Sequence, residues 1–171
     1  MMIWWVILIE AVAFAAVFTG IVFLGTAKKA KHSPSTIHNY PPDIQEEYFK
    51  SHERVDVSGS SPKVIAMKSL GIVLFVGILT LCAYLAGGRS FWEGFLLGLG
   101  LMFWIGLYDT LFLDFVLFAN LKAFRLEGTE HMDEAYHQKW FHLKGLLFPG
   151  SLFGIIVACF VGLFTYLIGL I

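Results

Sequence analysis

The sequence predicts an all-α, polytopic membrane protein, a bundle of four transmembrane helices joined by two polar connections. Three observations carry this expectation. The 171 residues are 57% hydrophobic and 15% charged, whereas charged residues make up about a quarter of a soluble domain. Four apolar runs reach the roughly 20 residues that a helix needs to cross a bilayer. The Lys and Arg residues, 12 in all, are segregated, with every one except Arg89 flanking two of the three connections. The net charge of −1 gives no bulk field to attract nucleic acid, and the length suits a single domain over residues 1–171.

The first helix is expected over residues 3–25. It is too long for a signal-peptide core, has no basic leader and is followed by no A-x-A site, so it reads as retained. The first polar connection, 27–63, opens with KKAKHS, whose bases suit an anionic headgroup layer. NYPPDIQEEYFKSHERV follows. Asn39 suits a cap, Pro41 and Pro42 a first turn, and Asp43, Glu46 and Glu47 a helix N-terminus. Ile44, Tyr48 and Phe49 give it a thin apolar edge, so a short helix lying along the membrane is expected. SGSSP (58–62) is a loop into the second helix, 64–86.

The Gly87-Gly88 turn leads to the third helix, 91–121, about 46 Å long if straight. It must tilt or protrude. A second polar connection spans 122–142, and the fourth helix, 143–171, should kink at Pro149. By the positive-inside rule both connections are cytoplasmic and both termini lie outside a cell membrane. Trp4, Trp5 and Trp92 then fall at the outer interface. Gly150, Gly154, Ala158 and Gly162, like Gly94 and Gly98, recur every four residues. Such spacing lets backbones approach closely, either within the bundle or as a homo-oligomer seam. Cys82 and Cys159 fall at similar depth and read as small packing residues or as a disulfide.

Ionisable groups within spans usually mark function. Glu10 shares a face with Ala13, Val17 and Gly20 and should point into the bundle. Asp109 and Asp114 lie about 140° apart on an α-helix, so they are not expected to act as a dyad. Lys68 is a candidate partner for either. Arg125 is out of reach of Asp114 unless the helix breaks.

The stretch GTEHMDEAYHQKWFHLK, 128–144, concentrates polar residues. A helix starting near Gly128 or Thr129 would gather Glu130, Asp133, Glu134 and His137 on one face, with His131 and His142 on another. Glu134 and His137 also spell E-x-x-H, in a single copy of a motif that di-iron bundles use twice. A divalent metal site, zinc or iron, is expected from His137, Glu134, Asp133 and Glu130, with His131 and His142 nearby and His38 or His52 supplied by the first connection. The competing readings are a solvated helix anchored by Trp140 and Phe141, and a pH-responsive cluster. No Walker loop, nucleophile elbow, dinucleotide fingerprint, H-E-x-x-H or paired C-x-x-C occurs.

Function is therefore expected at a His/carboxylate-rich site on the cytoplasmic interface, binding or processing a metal, a lipid-like molecule or a small polar ligand. The alternatives are a proton- or cation-coupled transporter or channel subunit that uses Glu10 and Asp109, and an accessory subunit held by its glycine seams. Whether the two connections pack together decides whether histidines from both can share a site.

Overall fold

The computed structural model describes residues 2–24, 37, 39–54 and 62–171, with backbone alone at 63 and 64. His38, the KKAKHS run and residues 58–61 of the SGSSP loop lie outside the described residues. The protein is all-helical, 83% helix, with no strand among the described residues. Among the described residues four helices are long and apolar enough to span a membrane.

The elements in order are α1 (Trp4–Val22), α2 (Pro42–Ser51), α3 (Pro62–Leu85), α4 (Phe91–Tyr108), a π-helix (Asp109–Phe118), a 3₁₀ turn (Lys122–Phe124), α5 (Asp133–Tyr136), α6 (Lys139–Gly145), a short π segment (Leu146–Gly150) and α7 (Ser151–Gly169). The chain divides into two compact units. Unit 1 comprises Met1–Ala15, Gly59–Gly106 and Leu147–Ile171, and unit 2 comprises Ala16–Ser58 and Leu107–Leu146.

In unit 1, α3 ends where Gly87 takes φ 89°. Gly88 N–H then bonds to the Ala83 carbonyl at 2.8 Å and Gly87 N–H to that of Tyr84 at 3.0 Å. This closure occupies carbonyls that a helix end otherwise leaves unpaired, and glycine alone enters it without strain. The Ser90-Phe91-Trp92-Glu93 run starts α4 as a capping box. The Glu93 carboxylate accepts from Ser90 N–H at 3.0 Å and Arg89 N–H at 2.9 Å, and Ser90 Oγ accepts from Glu93 N–H at 3.3 Å.

Gly94, Gly98 and Gly162 pack closely within this unit. A Cβ at Gly94 would meet Thr165, one at Gly98 would lie 3.1 Å from Val161 Cβ, and one at Gly162 would lie 2.8 Å from the Phe91 carbonyl oxygen. Val76, Leu79 and Ala83 of α3 join Leu97, Leu101, Val157 and Val161 in the core. Cys82 is half-buried, Cys159 is exposed, and both are free thiols. Large apolar side chains such as Trp4, Leu8, Val73, Trp92 and Leu167 face outward. The expected kink is present, since Phe148 leaves helical geometry (φ −158°, ψ 124°) just before Pro149.

Unit 2 has a different interior. Ile37, Tyr40, Ile44 and Tyr48 of the first connection pack with Phe118, Phe124, Leu126 and Tyr136. The two polar connections therefore fold onto each other. Pro41 rather than Asn39 occupies the α2 cap position, and no side chain bonds there. The reason is local: proline suits the first helical position, and Pro42 fills it, which leaves Asn39 too far upstream. The apolar edge of α2 lies against the second connection, with Ile44 fully buried.

Candidate functional site

The third helix changes register at Asp109. From there its backbone bonds run i→i+5, ending with Ala119 N–H on the Asp114 carbonyl, and the chain leaves helical geometry at Leu121 (φ −87°, ψ 125°). An i→i+5 register turns residues five apart closer to one side than α-helical spacing does. Asp109 and Asp114, which α-helical spacing would set on different sides, therefore interact electrostatically with each other, and His142 also acts on Asp109.

Asp114 has a partner that spacing did not suggest. Its Oδ2 lies 3.0 Å from His142 Nδ1. The His142 side chain is 8% exposed and that of Asp114 is 23% exposed. The imidazole also meets the Phe118 ring at 5.3 Å and the Phe141 ring at 5.1 Å, both edge-on. Its other nitrogen, Nε2, is buried and has no hydrogen-bond partner. With Nδ1–H donating to the carboxylate, Nε2 is left as an acceptor.

Arg125 does not reach Asp114. It is buried, stacks 3.8 Å from the centre of the Tyr136 ring, and donates through one Nη to the Ala119 carbonyl at 2.8 Å and to Asp133 Oδ1 at 2.7 Å. Around it, Tyr40 OH donates to the Phe124 carbonyl at 3.0 Å, Leu126 N–H donates to Tyr136 OH at 2.9 Å, and Thr129 Oγ1 lies 2.6 Å from that hydroxyl. Gln138 Nε2 donates to Asp43 Oδ2 at 2.7 Å and ties the second connection to the first. Burial, followed by the nearby Tyr136, raises the Tyr40 phenol well above the ordinary tyrosine value. Sequence reasoning missed this latch. Its signal was Arg125, the one Arg in a stretch bounded by Phe124 and Tyr136, FRLEGTEHMDEAY.

The expected metal ligands are not brought together. Among the described residues no group of three His, Cys, Asp or Glu side chains has the arrangement of a metal site. The physical reason is that α5 is a single turn, so the long face that would align Glu130, Asp133, Glu134 and His137 does not form. The Glu130 carboxylate accepts from Gly128 N–H at 2.8 Å, Asp133 is engaged by Arg125, and His137 Nδ1 turns back to the Asp133 carbonyl at 2.8 Å. His131 and Glu134 line a shallow, open depression with Asp43 and Gln138. His52 stacks face to face on Tyr48 at 4.0 Å, with its Nδ1 3.0 Å from the Tyr48 carbonyl oxygen. Lys68 is exposed on α3. Glu10 is buried on α1, beside the Cys82 thiol.

No protein-family model matches the chain, and no curated protein or solved structure matches it either. The class that the fold defines is an all-helical protein with four helices capable of spanning a membrane.

Proposed function

We propose that the chain is a multi-pass integral membrane protein of the cell membrane, with connections 27–63 and 122–142 on the cytoplasmic side, and that its working centre is His142 held by Asp114. The observation that carries this is the 3.0 Å Asp114–His142 contact combined with a buried, unpartnered Nε2. A carboxylate on one imidazole nitrogen fixes the tautomer and aims the other nitrogen. An acceptor shielded from water and backed by Asp109 and Asp114 favours a partner that donates hydrogen bonds and carries positive charge. The ligand class is therefore an ammonium- or hydroxyl-bearing head, of a lipid-like or small polar molecule, taken from the interface. Half-buried Phe141, edge-on to His142, is the side chain such a ligand would displace.

The test uses nitrogen-15 spectra of His142 in the purified full chain, with short-chain phosphatidylethanolamine and phosphatidylcholine as probes. The primary ammonium should move the Nε2 signal, and the quaternary ammonium, which has no N–H, should not. Asp114→Asn should abolish the response. Equal response to both lipids, or response to neither, would sink the proposal. The membrane orientation has its own test: Ser60→Cys should be labelled only after the cytoplasm is opened.

The make-up of the same cluster supports a second reading. Two carboxylates and an imidazole in electrostatic contact are the components of proton relays in transporters. Vesicles containing the chain would then carry a proton flux that His142→Gln removes.

A further inference from the structure

Glu10 stands apart from the His142 centre. It lies within α1, one of the candidate spans, and is 9% exposed. On the same helix Val6, Ile7, Ala11 and Phe14 pack against the unit 1 core, which includes Val76, Leu79 and Ala83 of α3. Neither carboxyl oxygen has a hydrogen-bond partner of sound geometry. The Cys82 thiol on α3 is the polar, titratable group that faces it, and no Lys, Arg or His pairs with it among the described residues. Glu93, in the same unit, shows what a structural carboxylate does here: its Oε2 accepts from two backbone N–H groups and a hydroxyl. Glu10 has none of these contacts, so a role as hydrogen-bonded glue between helices leaves both oxygens without their bonds.

A carboxylate without counter-charge in hydrocarbon is strongly disfavoured. The group is tolerated there as the neutral acid, or with a cation bound. A thiol is a weak donor and a weak acceptor, so Cys82 can accompany the acid but cannot neutralise the anion. We propose that Glu10 is an occluded proton-binding site, a carboxyl that carries an exchangeable proton inside the membrane with the Cys82 thiol as its neighbour. The inference shares the membrane reading above and is independent of His142.

The probe is dicyclohexylcarbodiimide, an apolar reagent that reacts with protonated carboxyls in apolar surroundings. The acid proton passes to one carbodiimide nitrogen and a carboxyl oxygen bonds to the central carbon. The acyl group then shifts to nitrogen, leaving a stable N-acylurea with no group lost. In the full chain reconstituted in vesicles, the adduct should map to Glu10, fall off as the pH is raised, and be absent from Glu10→Gln. Cys82→Ser, which keeps a hydroxyl beside the carboxyl, should still label and serves as the folded control. No adduct at Glu10 in the wild-type chain at any pH, where the unfolded chain does react, would overturn the proposal. So would protection by Na⁺ at fixed pH, which would make the occupant a metal cation. Alkaline carbonate extraction separates the two ideas. A chain released from the membrane fails the membrane reading, whereas a retained chain unlabelled at Glu10 fails this one.

Discussion

The two units hold themselves together by opposite means. Unit 1 relies on the absence of side chains: Gly94, Gly98 and Gly162 bring α4 and α7 so close that an added Cβ would strike Thr165, Val161 or the Phe91 carbonyl. Unit 2 relies on large side chains with polar ends. Tyr40, Phe118, Phe124 and Tyr136 form a ring cluster, and hydroxyls and a guanidinium bond to backbone groups that no regular helix satisfies. The ion pairs among the described residues all lie in unit 2. The lesson concerns backbone satisfaction. Long helices bond their own N–H and C=O groups and need only shape to pack, as membrane helices do. A segment of short turns must have its orphan groups met by side chains.

That contrast can be broken at several points. Tyr136→Ala removes a ring packed on Tyr40, Phe118 and Arg125 together with the hydroxyl that serves Leu126 and Thr129. A buried aromatic truncation costs about 3–5 kcal/mol, so hydrogen exchange should rise across residues 40–48 and 124–136 while α7 stays protected. Equal loss in both units would show that they do not stabilise themselves separately. Gly162→Val attacks the other unit. The obstacle there is backbone, at 2.8 Å, and overpacking costs about 1–3 kcal/mol. Thermal unfolding in detergent should fall, with exchange rising in α4 and α7 but not in 124–136.

Tyr40→Phe is milder. It deletes the bond to the Phe124 carbonyl, for about 1 kcal/mol. The same hydroxyl sharpens the pH behaviour of unit 2. Tyr40 is raised in the fold, first by burial and then by Tyr136, so the folded chain keeps a proton that the unfolded chain releases. Its contribution is full below the ordinary tyrosine value, about 10, and is lost as pH rises through the higher folded value. Ultraviolet titration should show Tyr40 ionising only as unit 2 opens, and Tyr40→Phe should remove that step.

The smallest effect belongs to Glu47. Its carboxyl is held below the usual glutamate value, chiefly by the hydrogen bond from Lys50. A lowered carboxylate contributes above its unfolded value and loses that contribution as pH falls through the folded one. The pair is solvent-exposed and screened, so Glu47→Gln should leave unfolding midpoints unchanged at neutral pH. A clear loss would mean that surface charge matters more to unit 2 than its ring cluster suggests.

Apolar runs and their interruptions were enough to place the helices. The expected limits 64–86 and 91–121 lie close to Pro62–Leu85 and to the helical run that starts at Phe91 and continues to residue 120, because hydropathy and glycine turns are local properties. The candidate site was only partly legible. Asp109 and Asp114 stood out as ionisable residues in an apolar run and His142 as one histidine of the polar stretch, but their grouping did not stand out. Periodicity counts 3.6 residues per turn, and the i→i+5 register from Asp109 to Phe118 breaks that count. The expected metal face failed for a related reason. EHMDEAYH fits a helical wheel, yet the chain makes one turn there and uses Glu130, Asp133 and His137 on its own backbone and on Arg125.

The sequence by itself determined the helical class, the four long apolar helices, the break at Pro149 and the polar character of the two connections. These follow from composition, run length and the backbone chemistry of proline and glycine, which act over a few residues. Only the tertiary structure decided that the two connections share one aromatic core, that Gly94, Gly98 and Gly162 sit where α4 and α7 pack, that Asp114 belongs to His142 and that Glu10 is left with a thiol for company. Each of these is a contact between segments far apart in the chain. Helical spacing shows which residues share a face, but only packing shows which face meets which.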